Sequence, residues 1–390
     1  MRSVVVAKFV PWPPNSGDKR RTLGVVRALR EHGEVAVCAY AGPDEDAAGL
    51  EAEGITVRSL PRRRRVPDLL LGLLRSRSIT SARFFSRGLE RLVRDETASG
   101  ADVLVVEHVQ LMPLARRAGA RATVLDMHNV ESSLTERYAR SQRGWRRVVL
   151  RLETLALRRL ERRSRRGADV VAVASRGDGD RLEALAPTGT ATAPVVVVPN
   201  AWDAPTPLPP AAEPCVCFVA LMSWAPNVDA AVWFAEQVWP RVVARRPDAR
   251  LLLVGRNPAP AVQALAGATV EVTGTVADLG PWYGRSMLAV APLLAGGGSR
   301  LKIMEALAHA RPVVSTTVGV EGLEDLVGRG VVVADDPAGM AEELLRLLSD
   351  DDERARLGAA GVDAVGTDHS WAAATRPLLD LMTDEPGGPT

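Results

Sequence analysis

The residues best suited to chemistry fall in one stretch, GGGSRLKIMEALAHARPVV, spanning 296–314. Gly296, Gly297 and Gly298 allow close backbone approach, and Ser299 is a good N-cap for a helix running to Ala308. Free N–H groups at such a helix start, the positive end of its dipole, and the side chains of Arg300 and Lys302 would converge on one negative group, most naturally a diphosphate. Lys302 stands out because the chain holds three lysines, Lys8, Lys19 and Lys302, and writes its other cations as arginine. Glu305 follows one turn later. A carboxylate does not favourably touch phosphate, so its expected work is accepting hydrogen bonds from sugar hydroxyls such as those of a ribose. The plainer alternative is a glycine turn with surface cations.

A second loop-to-helix junction lies in PPNSGDKRRTLGVVRALRE, where Pro14, Asn15, Ser16 and Gly17 separate a strand from an amphipathic helix over 19–31. Its backbone could form a nest facing a phosphate or a sugar. Lys19, Arg20 and Arg21 oppose the dipole in the first turn, which favours an anion nearby; an exposed basic turn is the other reading. His128, in VLDMHNVE, sits just past a strand end with Asn129 and Glu131 beside it. On its own it is as readily structural as catalytic. Glu107, closing VLVVE, is an acceptor-side neighbour candidate, as is Asn129. Asn227, in SWAPNVDAAVWF, is expected to N-cap a helix over 227–244 and present amides to a ligand. Cys215 and Cys217, two apart on a strand, point to one face and read as core. The acidic run 350–352 precedes a helix and is explained by N-terminal charge preference, so no metal is expected.

The elements that must position these residues form a regular series. VVVAKFV, VAVCAY, VLVVEHV, TVLDMH, DVVAVAS and VVVVPN alternate with amphipathic segments, which predicts a parallel sheet covered on both faces. WDAPTPLPPAAEP then reads as a linker, and the rhythm restarts with CVCFVA, RLLLVG, TVEVTG, MLAVAP, PVVST and GVVVA. The expectation is an α/β chain of two doubly wound Rossmann-like domains: an acceptor-side domain over 1–200, a linker over 201–213, a ligand-binding domain over 214–370, and a C-terminal helix and tail over 371–390. Such sheets bind ligands at the carboxyl ends of their strands, so the cleft between the domains is the natural site. Composition agrees, with 390 residues, 46% of them hydrophobic, and a net charge of +2 that argues against wholesale nucleic-acid binding. The N-terminal apolar run is broken at Lys8 and stopped by prolines. It fails as a signal peptide and as a membrane span, which makes a cytoplasmic protein the expectation.

The stretch GGGSRLKIMEALAHARPVVSTTVGVEGL resembles the signature of the group 1, or family four, retaining glycosyltransferases of the GT-B fold, in the subgroup with three glycines. PWPPNSGDKRR, VLDMHNVE, ADVVAVAS, VVVVPNAWD, SWAPNVDAAVWF, LLLVG and HSW agree in order, so the resemblance covers nearly the whole chain. It implies transfer of a sugar from a nucleotide diphosphate donor, UDP- or GDP-linked, to an acceptor hydroxyl on a glycan, glycolipid or natural product. It further implies that Arg300 and Lys302 hold the diphosphate, that Glu305 binds the ribose as the second carboxylate of a Glu-x7-Glu motif, and that His128 contacts the transferred sugar. The glycine loop at Gly17 would line the cleft, and the backbone at Val276 would read the nucleobase. No cofactor is implied beyond the nucleotide sugar. Two positions depart from the family: Gly297 stands where the first carboxylate would fall, and Leu221 stands where an Arg often follows the first strand of the second domain. The departures keep a non-catalytic sugar-nucleotide or membrane-surface binding protein as the alternative. A nicotinamide enzyme is disfavoured because PPNSGDKRR lacks the G-x-G-x-x-G spacing, and an epimerase would need acid and base carboxylates around the sugar.

Two arginine-rich stretches remain. The second, 146–166, has leucines at helical spacing and is expected to cover the sheet. The first, RRRRVPDLLLGLLRSR over 62–77, is either an ordinary exposed helix or one that lies peripherally on an anionic membrane surface, on the inner face.

Overall fold

The computed structural model describes residues 1–14, 16–42, 45–62, 65–185, 191–202, 204–295 and 300–383. The chain divides into two compact units, Met1–Pro199 with Ala374–Thr390, and Asn200–Ala373. The proline-rich stretch after residue 200 therefore belongs with the second unit. Trp202 is buried there and donates its N–H to the carbonyl of His369 at 3.0 Å, while Arg311 donates to the carbonyl of Pro209 at 2.5 Å.

The first unit is a seven-stranded parallel sheet in the order β3-β2-β1-β4-β5-β6-β7. Its strands are β1 (Arg2–Ala7), β2 (Glu34–Ala41), β3 (Thr56–Pro61), β4 (Val103–Glu107), β5 (Ala122–Met127), β6 (Val170–Val173) and β7 (Val195–Val197). The central strands are near-continuous runs of valine, alanine and leucine because both faces are covered, and β4 is buried at every residue. The helix Gly17–Glu31 seals one face with Leu23, Val25, Val26 and Leu29. Edge strand β3 was not expected. In TVRSLP only Val57 is buried, so neither an apolar run nor clean alternation marks it.

The second unit repeats the architecture with six parallel strands in the order β10-β9-β8-β11-β12-β13. These are β8 (Cys215–Val219), β9 (Arg250–Val254), β10 (Val270–Gly274), β11 (Leu288–Ala291), β12 (Val313–Ser315) and β13 (Val331–Val333). Cys215 and Cys217 are core residues, and burial pushes the Cys217 thiol up to about 12. The helix expected over 227–244 starts earlier and is interrupted. Its first segment is Ala225–Trp233, a π turn occupies Phe234–Val238, and Trp239–Arg245 completes it. Pro240 accounts for the break, since it has no N–H for the carbonyl four residues back. The acidic run does cap a helix: the Asp350 side chain accepts from the N–H of Glu353 at 2.9 Å.

Close approach of adjacent backbones explains the glycine that ends LLLVG. A Cβ at Gly255 would lie 1.7 Å from the carbonyl oxygen of Ala220. Gly255→Ala is therefore expected to lower stability by roughly 1–3 kcal/mol, the usual range for forced overpacking. Urea unfolding would show this as a lower midpoint, and an unchanged midpoint would mean the two backbones can separate freely.

Candidate active site

In a doubly wound sheet, the place where strand order reverses leaves an open crevice at the carboxyl ends. In the second unit that point lies between β8 and β11. The helix after β11, Leu301–Ala308, carries Lys302 and Glu305, with Arg300 at its start; the helix after β8 carries Asn227. Lys302 Nζ donates to Asn227 Oδ1 at 2.8 Å and lies 4.8 Å from the centre of the Phe218 ring. It forms no ion pair among the described residues. Burial, reinforced by the adjacent Arg300, pushes the ammonium down to about 7. Arg300 is buried and donates to the carbonyl of Val318 at 2.8 Å and to Glu321 at 3.4 Å. Two cations are thus gathered at one helix start, and a third polar group, neutral, holds one of them in place.

Asn227 does not cap its helix. Trp224 holds that position and Pro226 follows in the first turn, the residue whose missing N–H suits it to a helix start. Asn227 is instead buried inside the first turn, where its Nδ2 donates to the carbonyl of Leu221 at 3.0 Å. That bond turns the amide oxygen toward Lys302. Glu305 is also buried, with the Tyr283 hydroxyl 3.4 Å from Oε2. Val276 follows β10 and packs, half-buried, against the core cluster that holds Tyr283. Gly296, Gly297, Gly298 and Ser299 lie outside the described residues, as does Asn15.

The first unit has its own reversal point, between β1 and β4, and an ionic cluster occupies it. Register places Glu107 beside Asp126 on adjacent strands, and His108 and His128 follow the two strand ends. His128 Nε2 meets Glu107 Oε2 at 2.6 Å, and its Nδ1 lies 3.8 Å from Asp18. His108 Nε2 lies 3.7 Å from Asp18, and the two imidazoles stack with centroids 3.7 Å apart. Burial opposes charge on His128, but the nearby Asp18 carboxylate and the hydrogen bond to Glu107 outweigh it and push the ring up to about 9. Burial, then repulsion from His128 and Lys8, drives His108 down to about 3. The pair is one imidazolium stacked on one neutral imidazole.

Two of the three basic residues at the start of the helix, Lys19 and Arg21, are buried. Arg21 is buried, with Nε donating to Asp126 at 3.0 Å and Nη1 to the carbonyl of Val198 at 2.8 Å. Lys19 pairs with Glu45 at 3.2 Å. Internal carboxylates supply the anions that this basic turn called for. Gly17 opens the helix beside Asp18, and Asn129 is half-buried beside His128. Glu107 is fully buried and bonded to His128 and to Thr22, at 3.1 Å, which makes it a partner of the histidine. Asp18, His108, Asp126 and Thr22 were not singled out from sequence. The available signal was the pairing of EH and DMH at consecutive strand ends.

His108 adopts φ 74°, uncommon for a residue with a side chain, and its Nδ1 is buried without a hydrogen-bond partner among the described residues. Asp18, His108 and His128 lie close enough to share a metal ion, as do Glu107, Asp126 and His128. Neither set is well suited. A ligating imidazole normally donates its outer N–H, which His108 does not, and the second set already serves Arg21 and Thr22.

Residues 16–201 match a family described as glycosyl transferase 4-like domain, and residues 213–350 match glycosyl transferases group 1. Among curated relatives, a GDP-mannose-dependent phosphatidylinositol monomannoside mannosyltransferase of Corynebacterium glutamicum is 32% identical over 162 residues, covering 38% of this chain and 42% of that protein. The curated relatives are matched over only 36% to 42% of their own lengths. Solved structures agree in fold across nearly the whole chain. Sucrose-phosphate synthase from Thermosynechococcus elongatus superposes with TM-score 0.69 at 17% identity, covering 98% of each chain. HepE of Anabaena, solved with UDP and glucose, gives 0.67 at 14% identity, covering 99% of this chain and 100% of that one. Both units are matched by glycosyltransferase families and the fold is that of GT-B enzymes, so this chain belongs to the group 1 glycosyltransferases.

Proposed function

We propose that the chain transfers a hexosyl residue from a UDP- or GDP-linked sugar to an acceptor hydroxyl on a glycan, glycolipid or natural product, with retention at the anomeric carbon and without a metal. The observation that carries this reading is Lys302, a partly buried ammonium held by a neutral amide beside a second cation. Such a group lacks an anion, and a diphosphate supplies one. The bond from C1 to the diphosphate oxygen breaks and its electron pair leaves with that oxygen. The acceptor oxygen forms the new bond to C1, and its proton passes to the departing phosphate. Charge grows on the diphosphate along this path, so cations already in place stabilise the transition state more than the ground state. Glu305 takes the ribose hydroxyls, and His128, charged at neutral pH, donates to the transferred sugar. The names of similar proteins support a nucleotide sugar, since they include a GDP-mannose-dependent enzyme and a structure with UDP.

Release of nucleoside diphosphate from a panel of nucleotide sugars, with and without hydroxyl-bearing acceptors, tests the reaction, and the anomeric configuration of the product tests retention. Lys302→Met is expected to lower kcat by roughly 100-fold or more, the scale set by removing one preorganised donor, with the thermal midpoint unchanged or raised. Turnover within a few-fold of the parent would refute the diphosphate assignment.

Proton linkage gives an independent check. A bound diphosphate raises the Lys302 pKa from about 7, so binding above neutrality takes up a proton. Affinity for an intact nucleotide sugar, whose diphosphate does not titrate in this range, should be flat below pH 7. Above it, affinity should fall by up to about tenfold per pH unit. Calorimetry in buffers of different ionisation enthalpy measures the uptake, and Lys302→Met should abolish it. A parent profile with no decline would remove the linkage.

A further inference from the structure

The N-terminal unit carries two amphipathic helices that each expose an apolar face. The helix Val66–Ser76 exposes Val66, Leu69, Leu70, Leu73 and Leu74, spaced as one face, with Leu74 76% exposed. The helix Gly144–Gly167 packs inward with Ala156, Leu157 and Leu160, but its N-terminal half exposes a second face made of Trp145, Val148, Val149, Leu152 and Leu155. The leucines expected to cover the sheet thus divide between two sides of one helix. Trp145, 72% exposed, ends that outer face.

The long helix is tied to the segment that follows the first one. Glu153, on the inward side of the long helix, accepts hydrogen bonds from Ser78 Oγ at 2.6 Å and from the N–H groups of Ile79 and Thr80 at 3.0 and 2.9 Å. It thereby caps the short helix Ile79–Ala82 that follows the first amphipathic helix directly. Ile79 is half exposed at this junction.

The exposed charges around these faces are mostly arginines, with Asp68 in the first turn of the first helix as an acidic exception. Arg62, Arg65 and Arg77 are exposed beside the first helix. Arg143, Arg146, Arg147 and Arg151 are exposed beside the second, whose first turn holds no acidic residue. A groove along the first helix is lined by Tyr40, Arg62, Arg65, Val66, Leu69 and Arg83, among others, and sets guanidinium groups at the edge of the leucine face. Apolar stripes bordered by cations, with a tryptophan at one end, have the composition of helices that lie in a membrane interface. Among the described residues no helix is long and apolar enough to cross a membrane. A second copy of the same face would bring arginine against arginine, and a nucleic acid would have no use for the leucines.

We propose that the faces of Val66–Ser76 and the N-terminal half of Gly144–Gly167 together dock the N-terminal unit on an anionic lipid bilayer, with leucine, valine and Trp145 entering the interface and the bordering arginines meeting lipid phosphates. This docking is independent of the sugar-transfer reading and survives its failure.

Flotation of the full chain with phosphatidylcholine vesicles, with and without phosphatidylglycerol, at physiological salt tests it. Recovery is expected with the anionic vesicles only. Leu70→Ser with Leu74→Ser, and separately Trp145→Ser with Leu152→Ser, should each lower the partition constant at least about tenfold. Arg146→Glu with Arg147→Glu should lower it by roughly 25-fold or more, about fivefold per arginine removed from the surface. All these positions are exposed, and an unchanged thermal midpoint would confirm that each variant folds. Absence of flotation, equal recovery on neutral vesicles, or recovery undiminished in the variants would overturn the proposal. So would sedimentation of the parent as a dimer that the same substitutions dissociate.

Discussion

The salt bridge between Arg21 and Asp126 governs how the N-terminal unit can be built. Both side chains are about 1% exposed, and leaving either alone would cost about 3–5 kcal/mol, so the first helix cannot rotate or slide without losing it. Asp18, Arg21 and Thr22 share one helical face by spacing. With Arg21 held on Asp126, Asp18 is brought to the two histidines and Thr22 to Glu107. The Arg21 bond to the carbonyl of Val198 ties in the chain just past β7. One ion pair thus sets the position of His128, and with it the carboxylates that keep this ring charged while its stacked neighbour stays neutral.

The C-terminal unit handles buried charge in the opposite way. There Lys302 has an amide oxygen and an aromatic face in place of a carboxylate, and Arg300 beside it raises the cost of protonation. A cation placed so is destabilised in the empty protein and relieved by an anionic ligand. The two crevices therefore differ in kind. In the first, the cations are paired with carboxylates of the same unit, and in the second Lys302 has no ion-pair partner among the described residues.

Periodicity made the sheets legible. Strands β1, β4 and β5 each hold a short apolar run because parallel strands are buried on both faces, and the same logic located five of the six C-terminal strands as compact apolar runs, with β10 carried by TVEVTG. It failed at β3, where Arg58 and Ser59 face solvent at a sheet edge. The cation pair was visible from composition, since a lysine among so many arginines is conspicuous. The role of Asn227 was not. A side chain that favours caps also suits a buried hydrogen bond, and only the position of Pro226 separates the two. The basic turn at 19–21 misled for a related reason: sequence shows that cations oppose the dipole but not that Glu45 and Asp126, distant in the chain, already answer them. Likewise, the arginine-rich helix 144–167 shows leucines at helical spacing, but only the structure shows which of them are covered.

One departure from the family pattern meets Asn227 directly. Leu221 stands where the resemblance implies an arginine, and its side chain offers nothing to an anion. Its carbonyl, however, accepts from Asn227 Nδ2 and so fixes the amide with its oxygen toward Lys302. In this chain a backbone contact at that position orients an amide that holds a lysine on the neighbouring helix. A lysine is the better occupant there. Arginine stays charged in any surroundings, whereas a partly buried ammonium can shed its proton when the crevice is empty and regain it when a diphosphate arrives. On the proposed reading, electrostatic stabilisation is then strongest in the ligand-bound state, where a departing diphosphate would draw on it.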